Sequence, residues 1–257
     1  MTRGATFSER LADAGRGLLT GFTSASVGVA RSVGVALKSL GGGVSQCVRG
    51  QPREGLPRLR QGLTRIAQLP ADAVLMVGGR VLSSVQVLAG LEPPGRRLTE
   101  DEVARLRPVF GNSLDYAAVR VKAGELGLLG LPGRAFAHGN TVFVPPRGGD
   151  VDFGLLVHEL THVWQHQHGG TAYLSAALAA QWSGDGYDWR KGVSREKRWA
   201  QLNPEQQAQL IEDAAVAGLI PYTPPVSARM KLRGWSDGAL ALLDEALDCL
   251  HAGRGAP

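Results

Sequence analysis

His158-Glu159-Leu160-Thr161-His162 has types and spacing that suit metal-assisted hydrolysis. Residues four apart share one helix face, so both imidazoles can reach one Zn²⁺. Glu159 stands one step round from His158, where its carboxylate can take a proton from a water at the metal. Three fixed letters in five can arise by chance, so the surroundings must support the reading. They do: Leu155, Leu156, Leu160, Val163 and Trp164 make the segment apolar, with no Pro or Gly from Leu155 to His168. A helix in the core with one polar edge on a cleft is expected. Asp150 or Asp152 can cap its start and Gly169-Gly170 ends it. The alternative is a helix whose two His are only core or surface groups, but Glu159 in so apolar a run is otherwise costly to bury.

A catalytic zinc takes three protein ligands and leaves one position open. His168 has the spacing of the H-E-x-x-H-x-x-G-x-x-H pattern, but Gln165 stands where that pattern needs Gly. A continuous helix carries His168 about 9 Å beyond His162 along the axis. His166 also misses, being a further turn on. A carboxylate from a second helix is the other option. Asn203 as N-cap, Pro204 at the first position and Glu205 in the first turn open such a helix, with Glu205 and Glu212 on one face. Glu205 also has a plain reading, as an acid favoured by the helix dipole. Tyr187 and His138 could donate to the oxyanion that forms on attack, or be structural.

The supporting elements follow from local signals. Thr99 with Glu102 three residues on is a capping box for a helix to about Arg107. Tyr116 to Lys122 reads as a strand. Phe136 and Thr141 to Val144 read as two more, turning near His138-Gly139-Asn140, with Pro145 to Gly149 following. Val142 to Val144 is expected to be an edge strand lining the cleft, able to pair with an extended peptide. Ala172 to Trp182 is a helix, Gly184-Asp185-Gly186 a turn, Lys191 to Arg198 an exposed loop and Pro221 to Pro225 an extended break. A last helix runs to His251 with Asp237 as its cap and Leu240, Leu243, Leu247 and Leu250 inside.

Before Glu92-Pro93-Pro94-Gly95, the clearest boundary, the chain is different. Residues 1–50 are rich in Gly, Ser, Ala and Val and read as helical pieces broken at Gly41-Gly42-Gly43. Gln51 to Pro57 reads as a linker, and Leu63 to Leu69 and Ala71 to Leu91 as helices. In the last, Val74, Val77, Val81, Val85 and Leu88 form a stripe expected to pack on the domain, with Arg80, Ser83 and Ser84 away from it. Arg80 at the centre of a membrane span would cost about 2.5–3.5 kcal/mol.

The net charge is +5, yet residues 1–70 hold ten Lys/Arg against three acids, leaving the remainder near −2. Such an arm suits an acidic partner, nucleic acid or an anionic membrane, or is merely a solvated face, the reading preferred. No nucleic acid is expected, and membrane contact of this region stays open. Cys47 and Cys249 lie at opposite ends and suggest neither a disulfide framework nor a Cys-bound metal. No ordinary signal peptide is visible, which points to synthesis in the cytoplasm.

Taken in order, Arg97-Leu98-Thr99 to Val109-Phe110-Gly111, Asp115 to Val121, Gly133 to Phe143, and His158 to Gln165 resemble the metallopeptidase domain of bacterial contractile injection systems, also called Vgr-related or the injection-system core domain. The similarity covers about 95–215. It implies a zincin fold with Zn²⁺ on His158, His162 and a downstream Glu, here Glu205 in Glu-Gln-Gln-Ala, and a tyrosine at Tyr187. Gln209 stands where such helices carry Asp, so the partner that orients the ligands is open, with Asp213 the nearest substitute. The expected fold is thus α+β: a basic, partly helical region at 1–92 and a zincin-like metallopeptidase domain at 93–257, its small sheet followed by the H-E-x-x-H helix and further helices. The implied function is a zinc peptidase acting on a protein or peptide, as effector, toxin or processing component of a type VI-like apparatus. Spike or adaptor proteins are then partners, and the destination is a target-cell periplasm or cytoplasm. The alternative is a structural or loading part of the particle with a vestigial zinc site.

Overall fold

The computed structural model describes residues 5–123, 134–145, 151–182, 186–220 and 234–257. Two long helices come first, α1 (Phe7–Val48) and α2 (Pro52–Leu88). They form an antiparallel hairpin along nearly their whole length. α1 opens on a capping box, with the Thr6 N–H donating to Glu9 Oε2 at 2.7 Å.

Neither the break at Gly41-Gly42-Gly43 nor the linker at Gln51 to Pro57 exists; both helices run through, and α2 carries Pro57 and Pro70 inside it. Helix packing overrides local propensity here. A methyl group on Gly43 would sit 2.8 Å from Leu59 Cγ, and one on Gly62 2.7 Å from Leu40 Cγ, so glycine is what lets the helices approach.

The polarity of α2 is also the reverse of the expected one. Arg80, Ser83 and Ser84 are buried, while Val74 is 70% and Val85 58% exposed. The polar groups have distant partners. Arg80 donates to Thr141 Oγ1 at 2.7 Å and to the His138 carbonyl. Ser83 donates to Glu92 Oε1 at 2.7 Å and Ser84 to the Ala14 carbonyl at 3.1 Å. Lys122 then ties hairpin to sheet, its Nζ 2.8 Å from both Asp13 Oδ2 and Glu92 Oε1. By length and composition α2 is the one helix among the described residues that could cross a membrane.

α3 (Glu100–Phe110) starts at the capping box of Thr99 and Glu102 as expected. β1 (Arg120–Ala123), β2 (Phe136–His138) and β3 (Thr141–Val144) make a sheet of order β1-β3-β2, with β1 parallel and β2 antiparallel to β3. Gly139, at φ 59°, begins the two-residue turn between β2 and β3, a conformation a side chain would strain. Val142 to Val144 therefore belongs to the middle strand of the described sheet, Val142 and Phe143 pairing on both sides, and is not its edge; among the described strands β2 takes that place, and β1 is shorter than the expected strand.

α4 (Phe153–Gly169) follows, with Asp152 accepting from the Leu155 N–H at 2.9 Å, and ends at Gly170 in the left-handed region (φ 88°). α5 (Ala172–Trp182), α6 (Trp189–Ser194), a 3-10 turn (Trp199–Gln201), α7 (Pro204–Val216) and α8 (Asp237–His251) follow among the described residues. α6 occupies part of the expected Lys191–Arg198 loop, and Ser236, not Asp237, caps α8. The core gathers Phe110, Leu160, Trp164, Trp189, Leu210 and Leu243 between α3, α4, α6, α7 and α8. Trp164 anchors it, its Nε1 donating to Ser113 Oγ at 3.1 Å and the Leu250 carbonyl at 3.2 Å. The cap alternative Asp150, the segment Pro146 to Gly149, the Gly184-Asp185 turn and the Pro221–Pro225 break lie outside the described residues.

Candidate metal centre

α4 and α7 pack side by side and carry the three groups that meet. One ligand atom each from His158, His162 and Glu205 lie within 4.8 Å of one another, all three residues buried. The Nε2 atoms of both imidazoles lie 3.4 Å from the same oxygen, Glu205 Oε2. That oxygen has no hydrogen-bond partner. Its twin, Oε1, accepts from Gln181 Nε2 at 2.8 Å, which fixes the carboxylate plane. Asn203 places Glu205 by capping α7 as expected: its Oδ1 accepts from the Gln206 N–H at 2.8 Å.

Both rings are held from behind. His158 Nδ1 lies 2.9 Å from Glu212 Oε2. His162 Nδ1 lies 2.8 Å from Gln165 Oε1, whose amide nitrogen donates to the Pro204 carbonyl (3.0 Å) and Gln207 Oε1 (2.9 Å). With its nitrogen so committed, Gln165 can present only its oxygen to the ring. Both Nδ1 atoms are then donors, and each Nε2, turned toward Glu205, is the nitrogen left to give up its proton to a metal. Two imidazole nitrogens and one carboxylate oxygen, converging with outer partners in place, are a zinc-type donor set. The buried Oε2 accepts no hydrogen bond and has the two imidazole Nε2 atoms around it, an arrangement a cation fits.

Charge is shared tightly. Burial works against a charge on His158, but the Glu205 and Glu212 carboxylates outweigh it and hold its pKa up at about 10. His162 is likewise raised: burial opposes, Glu205 prevails. Glu205 is held below the usual carboxylate range, since His162 and His158 overcome its burial. Glu159 faces the same cleft, and burial raises its pKa against the pull of both His.

The cleft holds about 340 Å³. Phe136, Ala137, Leu155, Leu174 and Leu178 give it apolar walls, and Glu159, Gln181, Tyr187 and Glu212 its polar ones. Tyr187 stacks near the site, its ring centroid 6.0 Å from that of His158, and its hydroxyl accepts from Arg134 at 2.9 Å. Burial pushes that hydroxyl up to about 12, so it keeps its proton.

The other sequence candidates lie elsewhere. His168 Nε2 sits 3.0 Å from the Ser113 carbonyl. His166 packs near Tyr173. His138 is buried beside Arg80, with Nε2 3.1 Å from the Leu75 carbonyl, and does not line the cleft. Asp213 bonds Trp189 Nε1 at 2.8 Å and Gln209 at 2.8 Å, not an imidazole. Gln165, Gln181 and Gln207 were missed by sequence reasoning as supports of the cluster, and Glu212, expected on one face with Glu205 and open as an alternative third ligand, lies instead behind His158 at Nδ1. The seven-residue step from Glu205 was the signal available for Glu212; the glutamines had none.

Residues 97–170 match the family described as the eCIS core domain. A stretch of 162 residues is 33% identical to the type VI secretion system spike protein VgrG2b of Pseudomonas aeruginosa (strain PAO1), covering 56% of this chain. The match spans 16% of that relative's length. No solved structure matches the chain. The two matches make this a protein related to contractile injection systems, type VI secretion among them. The family match contains α4 with His158 and His162 and ends before Glu205.

Proposed function

We infer that the chain is a zinc-dependent peptidase of zincin-like fold, carried by or delivered through the injection apparatus to which its relatives belong. The observation that supports this reading is the convergence of His158, His162 and Glu205 Oε2, which accepts no hydrogen bond, beside Glu159 in an open cleft. A cation bound to these three residues supplies Lewis acidity toward a water and a carbonyl. Glu159 takes the proton released as water attacks the carbonyl carbon, and returns it to the amine as the C–N bond breaks. Tyr187, still protonated, donates toward the oxyanion. Glu212 and Gln165 keep the two Nε2 lone pairs aimed. The peptide lies beside β2, with an apolar side chain against Leu155, Leu174 and Leu178.

The test compares wild type with Glu159→Gln for zinc content and for cleavage of a broad quenched-fluorescence peptide library. Zinc retained in both and cleavage lost only in the variant is the expected result. A zinc-loaded wild type that cleaves nothing removes the peptidase reading.

A second reading has its own support: both matches are named for parts of the particle, a core domain and a spike protein. On that reading the ion only braces α4 against α7, and Glu159→Gln changes neither stability nor any activity.

A further inference from the structure

The hairpin of α1 and α2 has two unlike faces. Contacts fix which is which. Gly21 meets Arg80, and Gly43 meets Gly55 and Leu59, so these residues mark the seam between the helices. Asp13, Gly28 and Arg31 of α1 reach Lys122, Thr171 and the Gln167 carbonyl, and Met76 and Gly79 of α2 reach Tyr173 and His138. Those residues face the rest of the protein. At about 100° per residue, the remaining side of each helix can be read off, and in an antiparallel pair the two remaining sides form one surface.

That surface is apolar. From α1 it carries Leu19, Phe22, Leu37 and Val44, with Leu19 67% and Leu37 63% exposed. From α2 it carries Leu56, Leu63, Val74 and Val85, with Leu63 62% exposed. Each helix is about 55 Å long or more. Single exposed apolar residues are ordinary, but eight large ones sharing one side of two adjacent helices mark an interaction surface. The seam is the opposite: Gly21, Ala25, Ser32, Ala36 and Gly43 are small and buried. Large apolar groups outside and small ones inside is the packing that lipid favours, where close backbone approach replaces a hydrophobic core.

Charge says which apolar medium fits. Residues 16–66 hold eight Lys/Arg and a single acid, Glu54. Lys38 lies on the outer flank of α1 with Arg49 just past its end, and Arg53 and Arg60 lie along that of α2, all exposed; Arg16 turns instead to Asp13. None lies at the centre of the apolar face. Basic residues at the margins of an apolar face match anionic head groups above an acyl layer. The buried Asp72 and Arg80 fix the other side of α2 on protein, so the hairpin lies along a surface and does not span it.

We propose that the α1–α2 hairpin docks the protein flat on an anionic lipid bilayer, its apolar face in the interface and its Arg/Lys flanks on the head groups. This is independent of the peptidase reading, because it uses no residue of the metal cluster.

Flotation of the full chain with vesicles tests it. Vesicles of phosphatidylglycerol mixed with phosphatidylcholine are expected to carry the protein, and pure phosphatidylcholine to carry much less, with binding reduced by salt. Leu37→Glu with Leu63→Glu weakens partition about tenfold or more per site. Arg53→Gln with Arg60→Gln weakens it about fivefold per site. Circular dichroism checks that the variants fold, with Val74→Glu as a single-site substitute for the leucine pair. Absence of flotation with anionic vesicles overturns the proposal. So does binding that the leucine changes leave intact, which is mere adsorption by charge. A self-associated species that the leucine changes disperse, without vesicle binding, assigns the face to a protein partner instead.

Discussion

Gln165 holds His162 by a 2.8 Å contact from its amide oxygen to Nδ1, one helical turn further along α4. Its nitrogen is spent on α7, at the Pro204 carbonyl and Gln207. One side chain therefore both aims a ligand and fixes the helix that brings Glu205. Gln165→Ala should lower Zn²⁺ affinity about 10–100-fold. Competition with a calibrated chelator measures it, and Glu212→Ala should act similarly through His158. Unchanged affinity in both would mean that the rings need no support.

Glu205→Ala removes one of three donors, whereas His168→Ala removes a ring that meets the Ser113 carbonyl and Trp164, away from the cluster. Zinc stoichiometry after dialysis should collapse in the first and stay at wild type in the second. The reverse outcome would move the site along α4.

Acid should weaken the hairpin–sheet junction. Burial, with Arg80 nearby, drops the pKa of His138 to about 3 and that of His166 to about 4. Both folded values lie below the ordinary 6.5 of an unfolded His. Their contribution is complete above pH 6.5 and is lost as pH falls toward the folded values, since the unfolded chain binds the extra protons. Each contributes a slope of about 1.4 kcal/mol per pH unit in that window. Urea denaturation of wild type and His166→Leu at pH 7 and pH 5 checks it: the variant should lose less stability on acidification. Equal losses would show that His166 is not the source.

Lys122 lies buried between Asp13 and Glu92. Lys122→Met strands two carboxylates and should cost about 3–5 kcal/mol. The Leu88–Gly95 connection should then become sensitive to limited proteolysis. A stable, protease-resistant variant would mean that the hairpin is held by apolar packing alone.

Local chemistry was legible in the sequence wherever a residue acts on its neighbours. Thr99 with Glu102, Asp152 before α4, and Asn203-Pro204 before α7 each announced a helix start that the structure has. The meeting of His158, His162 and Glu205 was reachable because helix spacing and a resemblance both pointed there. What stayed hidden acts across the chain. Arg80 looked solvent-facing because Thr141 and His138 lie in a strand pair read separately. Gly41-Gly42-Gly43 looked like a break because Gly55 and Leu59, which need the close approach, come from the next helix.

The third donor reaches the imidazoles from an element separated from them by all of α5 and α6. An extended polypeptide therefore has no pocket, only two histidines four residues apart in sequence with feeble hold on an ion. Any passage that unfolds the chain would therefore dismantle the cluster as well, and the fold must re-form before the three groups can share an ion.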